Sequence, residues 1–311
     1  MTSIFLALLP VFVVILIGFA LRRFHVIGEA QWAGLDQICY FVLFPAIIFK
    51  EIAVADFTGV PVLAMAGAMM LAVVVMIGLL VLLNRPVMAA LGIDGPQFTS
   101  LVQGAARWHT FIAFAIIPLQ FGPGALPLGA VSAAAMTPLL NIICVIVMAR
   151  FAHETYVSPR TLALSIIRNP FVFSSLGGIA WQLSGLELPT LGLQVLDMVG
   201  RGALGLALLT VGAGLRLGDA ISSWPPVAAA VVLKLLAMPL LMAGTLWLMG
   251  VHGQAFAVAM LCAAVPTGSG AYVLARQMGG DAPMVANMLT LQVLAAAVTI
   301  PLVLYFAGVA G

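Results

Sequence analysis

The sequence predicts an all-α membrane protein of ten transmembrane helices, arranged as two halves of five that lie upside down with respect to one another. Composition is the first ground. Of 311 residues 64% are hydrophobic and 7% charged, with a mean hydropathy of +1.22, too few polar side chains to cover a soluble globule. The second ground is ten apolar runs, each about the 20 residues needed to cross hydrocarbon. The third is a weak internal repeat, in which positions 158 residues apart (250 − 92) match without a gap.

The runs fall at 3–21, 33–53, 59–83, 98–121, 125–149, 161–183, 189–215, 224–249, 254–277 and 282–308. The first has no basic leader and is longer than a signal-peptide core, so it reads as a retained helix. Connections are short except at 150–160, where RFAHETYVSPR is a charged linker with a Ser-Pro turn. It divides the chain into a first half, 1–150, and a second, 160–311.

Loops after odd-numbered segments carry Arg22, Arg23, Arg85, Arg150, Arg160, Arg216 and Arg276, whereas those after even-numbered segments carry Lys50. The positive-inside rule makes the first set cytoplasmic. Both termini then face the exterior or periplasm of an inner (plasma) membrane. Each half has an odd number of spans, so related halves must be inverted.

The repeat pairs Gly92 with Gly250, Gly95 with Gly253, Phe98 with Phe256, Ala105-Ala106 with Ala263-Ala264, and Phe114 with Tyr272. A shift of 160 (170 − 10) pairs Pro10 and Gly18 with Pro170 and Gly178.

The ninth segment contains AAVPTGSGAYVLAR, Ala263 to Arg276. Pro266 lacks an N–H and crowds the carbonyl of Cys262, and glycines follow at 268 and 270, so a continuous helix is interrupted. Backbone freed at membrane depth is tolerated where protein or a wet cavity satisfies it, which makes this stretch a candidate binding site. Thr267 and Ser269 supply hydroxyls, and the N–H groups after Pro266 form the positive start of a half-helix. The repeat lays Arg107, Trp108, His109 and Thr110 opposite Val265, Pro266, Thr267 and Gly268. A second break is therefore expected in the fourth segment, although no Pro or Gly occupies 107–110.

Arg107 suits an anionic group by bidentate hydrogen bonding, against the alternative of a structural arginine paired with Asp197 or free carbonyls. His109 is a candidate for proton coupling, or a neutral ring serving exposed backbone. Asp197 and Arg201 share a helix face at i, i+4 and read foremost as an ion pair, with Asp197 retained as a candidate coupling group. Lys234, mid-segment in the eighth span, is a third candidate for coupling or for a counter-ion role. Asp36, near the cytoplasmic end of the second segment, reads as solvated or as serving a helix start. Trp108 and Tyr272 are candidate cavity aromatics, and Gln103, Asn141, Asn287 and Gln292 are interior polars that commonly join helices.

The composition and motifs exclude other classes. Basic residues are scattered, so no nucleic-acid partner is indicated. Cys39, Cys144 and Cys262 lie singly in apolar runs, and no metal-ligand cluster or cofactor motif occurs. An intramembrane enzyme would need H-E-x-x-H, G-x-S-x-G or paired aspartates, none of which is present.

The run Pro266-Thr267, Ala271-Tyr272-Val273-Leu274-Ala275, Gly279-Gly280-Asp281, then Thr290-Leu291-Gln292 and Pro301, resembles the auxin efflux carrier family in its bacterial branch, which includes malonate transporters. Arg107-Trp108-His109-Thr110 is similar to that family's arginine, aromatic, asparagine, threonine run, with His109 in the asparagine's place. Phe44-Pro45-Ala46 and Asn169-Pro170 also fit. The resemblance implies broken fourth and ninth helices that cross mid-membrane in an elevator-type transport domain, a homodimer, and transport of organic anions. The expected function is secondary active transport of a small carboxylate, driven or accompanied by H+ or Na+. Arg107, Trp108, His109, Thr110, Pro266, Thr267, Gly268, Ser269, Gly270 and Tyr272 are the expected substrate site. The alternatives are a sodium-coupled symporter of the bile-acid type and a membrane ligand sensor.

Overall fold

The computed structural model describes residues 2–57, 59–152, 170–215 and 224–308, and all the secondary structure described is helical. The linker beyond Ala152, the start of the sixth predicted span with Asn169, and Arg160 and Arg216 lie outside the described residues. Helix α1 spans Thr2–Arg23, and α2 spans Glu29–Ala53 with a π turn at Cys39–Leu43. Then come α3, Val62–Leu82; α4, Asn84–Leu91; α5, Gly95–Ala106; α6, Thr110–Phe121; and α7, Leu126–Phe151. The later helices are α8, Pro170–Ser184; α9, Thr190–Gly214; and α10, Trp224–Leu248, with a π turn at Leu233–Ala237. Helices α11, Gly253–Ala264, α12, Gly270–Met278, and α13, Ala282–Phe306, complete the described chain.

Among the described residues, six helices are long and apolar enough to cross a membrane: α2, α3, α7, α9, α10 and α13. Two boundaries differ from the sequence expectation. Helix α2 begins at Glu29 rather than 33, because Glu29 is held by Arg22 at 2.6 Å across the turn from α1. Helix α4 was not expected. It is short, begins without a side-chain cap, and ends on Gly92 at φ 63, a left-handed geometry that glycine adopts without strain.

Small residues let the helices approach closely, the usual device where lipid provides no hydrophobic drive for association. Gly18 of α1 faces the backbone of Leu209 in α9, and Gly212 of α9 faces the Ile15 carbonyl in α1. Gly178 of α8 meets α2 in the same manner, since a Cβ there would lie 2.9 Å from the Phe49 carbonyl. The centre of the protein is α5 and α11, in which Phe98 through Ala106 and Ala257 through Ala264 are buried.

Helix α5 has a reciprocal start. The Asp94 carboxylate accepts the Gln97 N–H at 2.9 Å, and the Gln97 side chain accepts the Asp94 N–H at 3.2 Å. Its first turns are fastened to the loop before α13, where Ser100 Oγ accepts the Asp281 N–H at 2.9 Å. At the opposite end, Gln254 Nε2 of α11 donates to the Phe121 carbonyl of α6 at 3.3 Å. The start of each interrupted helix thus lies beside the end of the other, and the two run antiparallel.

Candidate functional site: a cavity at two helix breaks

Helices α5 and α11 each have twelve residues and start 158 positions apart (253 − 95). Each ends on an extended residue: Arg107 at φ −69, ψ 156, and Val265 at φ −67, ψ 149. The last helical bonds also correspond, Arg107 N–H to Gln103 and Val265 N–H to Leu261. At the second break Pro266 explains the stop locally. Residues 107–109 contain neither Pro nor Gly, so the first break is held from outside.

Gln292 of α13 is the main outside support. Its Oε1 accepts the Thr267 N–H at 2.9 Å, and its Nε2 donates to the carbonyls of Gly104 at 2.8 Å and Ala230 at 3.1 Å. Thr267 Oγ1 also donates to the Gly104 carbonyl at 2.8 Å. In a continuous helix that carbonyl would accept from Trp108. One fully buried amide thereby serves backbone groups from both breaks and from α10 just before its π turn. The breaks themselves touch. A Cβ at Gly268 would stand 2.7 Å from the Trp108 carbonyl oxygen, so a bare backbone is required there.

Against this crossing lies a cavity of about 680 Å³. Helix α2 contributes Asp36, Gln37, Tyr40 and Phe41; the first break, Arg107, Trp108, His109 and Thr110; α7, Thr137 and Asn141; and the second break, Gly268, Ser269 and Gly270. Val145, Val273, Leu274 and Gln277 carry the walls toward one end. Phe111 and Phe171 also line the cavity and pack on further aromatic rings. Phe44 stacks on Phe111 with centroids 4.1 Å apart, meets Phe114 edge-on at 5.9 Å, and lies 6.2 Å from Phe171.

Arg107 donates from Nη2 to Asn141 Oδ1 at 2.9 Å and also interacts with the Cys144 thiol, while its Nη1 is buried with no hydrogen-bond partner among the described residues. No ion pair to Arg107 occurs among the described residues. Its Nη2 is also 3.2 Å from where a Cβ of Gly270 would be, which places the guanidinium at the first residue of α12. The Ala271 and Tyr272 N–H groups of α12 already donate to the Gly268 and Ser269 carbonyls at 3.0 Å, and the helix start carries partial positive charge. A fixed cation and a helix start therefore meet at one wall, an arrangement suited to an anionic group. Thr137 Oγ1, on the same cavity, is also buried without a partner among the described residues.

Seven of the expected site residues line this cavity: Arg107, Trp108, His109, Thr110, Gly268, Ser269 and Gly270. Pro266 and Thr267 are buried behind it, and the Thr267 amide and hydroxyl are both engaged in holding the breaks. Tyr272 lines a separate recess of about 310 Å³ with Val273, Arg276 and Gln277. Lys234 does not line the cavity; it is fully buried on the π turn of α10, its Nζ without a hydrogen-bond partner among the described residues.

Asp197 is also distant from the cavity lining, and its partner differs from the expected Arg201. Lys50 of α2 pairs with Asp197 at 2.7 Å and with Glu51 at 3.3 Å. A same-face i, i+4 pair is worth only about 0.2–0.5 kcal/mol, so a cation brought in by a packed neighbour readily takes its place. Asp36 was misjudged from sequence. With α2 starting at Glu29 it lies two turns inside the helix and lines the cavity, and the signal available was a carboxylate within an apolar run.

A helical chain with repeated membrane-length spans and a cavity at two helix breaks has the form of a membrane transport protein, and residues 154–304 match the family model described as Membrane transport protein. The chain is 22% identical over 295 residues to an uncharacterized transporter of Methanothermobacter thermautotrophicus, covering 94% of this chain and 95% of that protein. It is 30% identical over 118 residues to auxin efflux carrier component 3a of Oryza sativa subsp. japonica, and 29% identical over the same length to auxin efflux carrier component 2 of Arabidopsis thaliana. Each plant match covers 36% of this chain and about a fifth of the plant carrier, 19% and 18%. Over these stretches the chain is similar to membrane transport proteins, auxin efflux carriers among them.

Proposed function

We propose that this chain is a secondary active transporter of a small organic anion, a carboxylate, working by alternating access around the crossing of its two broken helices. The observation that carries the reading is Arg107: a guanidinium that, among the described residues, has an unfilled donor and no carboxylate partner, set on a cavity wall against the start of α12. A hydrogen bond to a charged group contributes about 1.5–3 kcal/mol, and a helix start about 0.3–1 kcal/mol. The arginine is therefore the principal anchor, and the partial positive charge of the helix start adds to it.

On this reading residues 1–150 and 160–311 are the two halves of a five-plus-five inverted repeat in the plasma membrane, with both termini outside. The matched α5 and α11 support that relation. The cavity lining includes Gln37, Val145 and Gln277, toward the helix ends next to Arg22, Arg150 and Arg276, and on this reading the cavity opens to the cytoplasm. The aromatic rings of Phe44, Phe111, Phe114 and Phe171 bar the outer side. An elevator-type movement of the crossing past α2, in a homodimer, would part those rings. His109, on the cavity wall, is the candidate proton group, and His109→Asn is expected to flatten the pH profile of flux.

A panel of carboxylates screened for thermal stabilisation of the purified protein tests the reading. A ligand at about 100 times its Kd stabilises the state it binds by about 2.7 kcal/mol, and at least one acid should raise the melting temperature. Stabilisation by sodium with none by any acid would favour the sodium-coupled, bile-acid-type alternative instead.

A further inference from the structure

Among the cavity-lining side chains are the Arg107 guanidinium and the Asp36 carboxylate, the latter hydrogen-bonded to the Thr210 side chain of α9. Neither belongs to an ion pair among the described residues. Arg107 lies at the inner wall where the breaks meet. Asp36 lies one helical turn, about 5.4 Å, before Tyr40 and toward the helix start at Glu29. One cavity therefore holds a guanidinium where the breaks meet and a carboxylate on α2. The walls between are largely apolar, with Phe41, Trp108 and Phe171 among them. Screening is weak in such surroundings and charges interact more strongly than in bulk water.

We propose that Asp36 is a specificity-determining residue, selecting carboxylates that bear an amino group at their far end and turning away dicarboxylates. The inference rests on the carboxylate reading above and names the substrate class within it. With its carboxylate on Arg107, an extended ligand directs its other end along the cavity to Asp36. An ammonium there gains a charge-assisted hydrogen bond. A second carboxylate there meets a like charge, which the site disfavours by repulsion as effectively as it selects by attraction.

Three six-carbon acids differing only at the far end separate the effects: hexanoate, 6-aminohexanoate and adipate. Apparent affinities come from thermal-stabilisation titrations of the full-length protein in detergent. The wild type is expected to bind 6-aminohexanoate best and adipate worst, about tenfold or more apart. Asp36→Asn should bring the three within about threefold of one another, and Asp36→Glu should restore the order. Equal binding of adipate and 6-aminohexanoate by the wild type overturns the proposal, as does an unchanged ratio in Asp36→Asn. If Asp36→Asn does not fold, the wild-type ratio and Asp36→Glu decide. Failure of the underlying carboxylate reading looks different: none of the three acids stabilises the protein, or Arg107→Gln leaves hexanoate binding intact.

Discussion

Replacing Gln292 with leucine keeps the side-chain volume roughly constant and removes three hydrogen bonds at once. The Gly104 carbonyl retains Thr267 Oγ1 at 2.8 Å, so it stays satisfied. The Thr267 N–H and the Ala230 carbonyl lose the acceptor and donor supplied by the amide, in a site closed to water. A buried polar group left unsatisfied costs about 1–3 kcal/mol, which sets the upper range at about 2–6 kcal/mol for two. Polar contacts between membrane helices average nearer 0.6 kcal/mol, because chains unfolded within a membrane also find partners. The backbone N–H at a proline break has fewer such alternatives, so about 2–3 kcal/mol is the expected loss. At roughly 2–4 °C per kcal/mol, the melting temperature of Gln292→Leu should fall by about 4–12 °C. Flux should fall further than the folded fraction, since both breaks lose a common tie. A melting temperature within about 1 °C of wild type, with unchanged flux, would refute the reasoning that Gln292 holds the crossing.

Gly268→Ala places a methyl group 2.7 Å from the Trp108 carbonyl oxygen, which is backbone and yields little. Such overpacking costs about 1–3 kcal/mol, and because the strain falls on the crossing, flux in proteoliposomes should be lost while the protein still purifies as a folded species. Asp197→Asn breaks a half-exposed pair with Lys50 that is worth about 0–1 kcal/mol. It should move the melting temperature by no more than a few degrees and leave the pH profile of flux unchanged; an altered profile would return Asp197 to the coupling machinery.

The sequence made the ninth-segment break legible because Pro266, Gly268 and Gly270 carry local, chemically unambiguous signals. The first break has no such signal. Arg107 to His109 adopt a non-helical path because Gln292 and Thr267 satisfy the Gly104 carbonyl from other helices, a tertiary cause that only the repeat hinted at. The same limit applies to Asp36, whose depth depended on a helix start fixed by the Arg22–Glu29 pair. Thr267 shows the opposite error. A hydroxyl beside a helix break reads as a ligand group, yet both its polar groups are engaged by the protein. For Asp197, periodicity identified the correct helix face but could not reveal that α2 brings Lys50 against it.

The central claim is that a substrate carboxylate meets Arg107 at the crossing. Flux of the best-stabilising acid, measured for Arg107→Gln in proteoliposomes alongside wild type, tests it most directly. Leaving a buried charge without its partner costs about 2–5 kcal/mol, so kcat/KM should drop by at least about thirtyfold while the variant's melting temperature without ligand stays near wild type. Flux within about twofold of wild type, at an unchanged KM, would contradict the account.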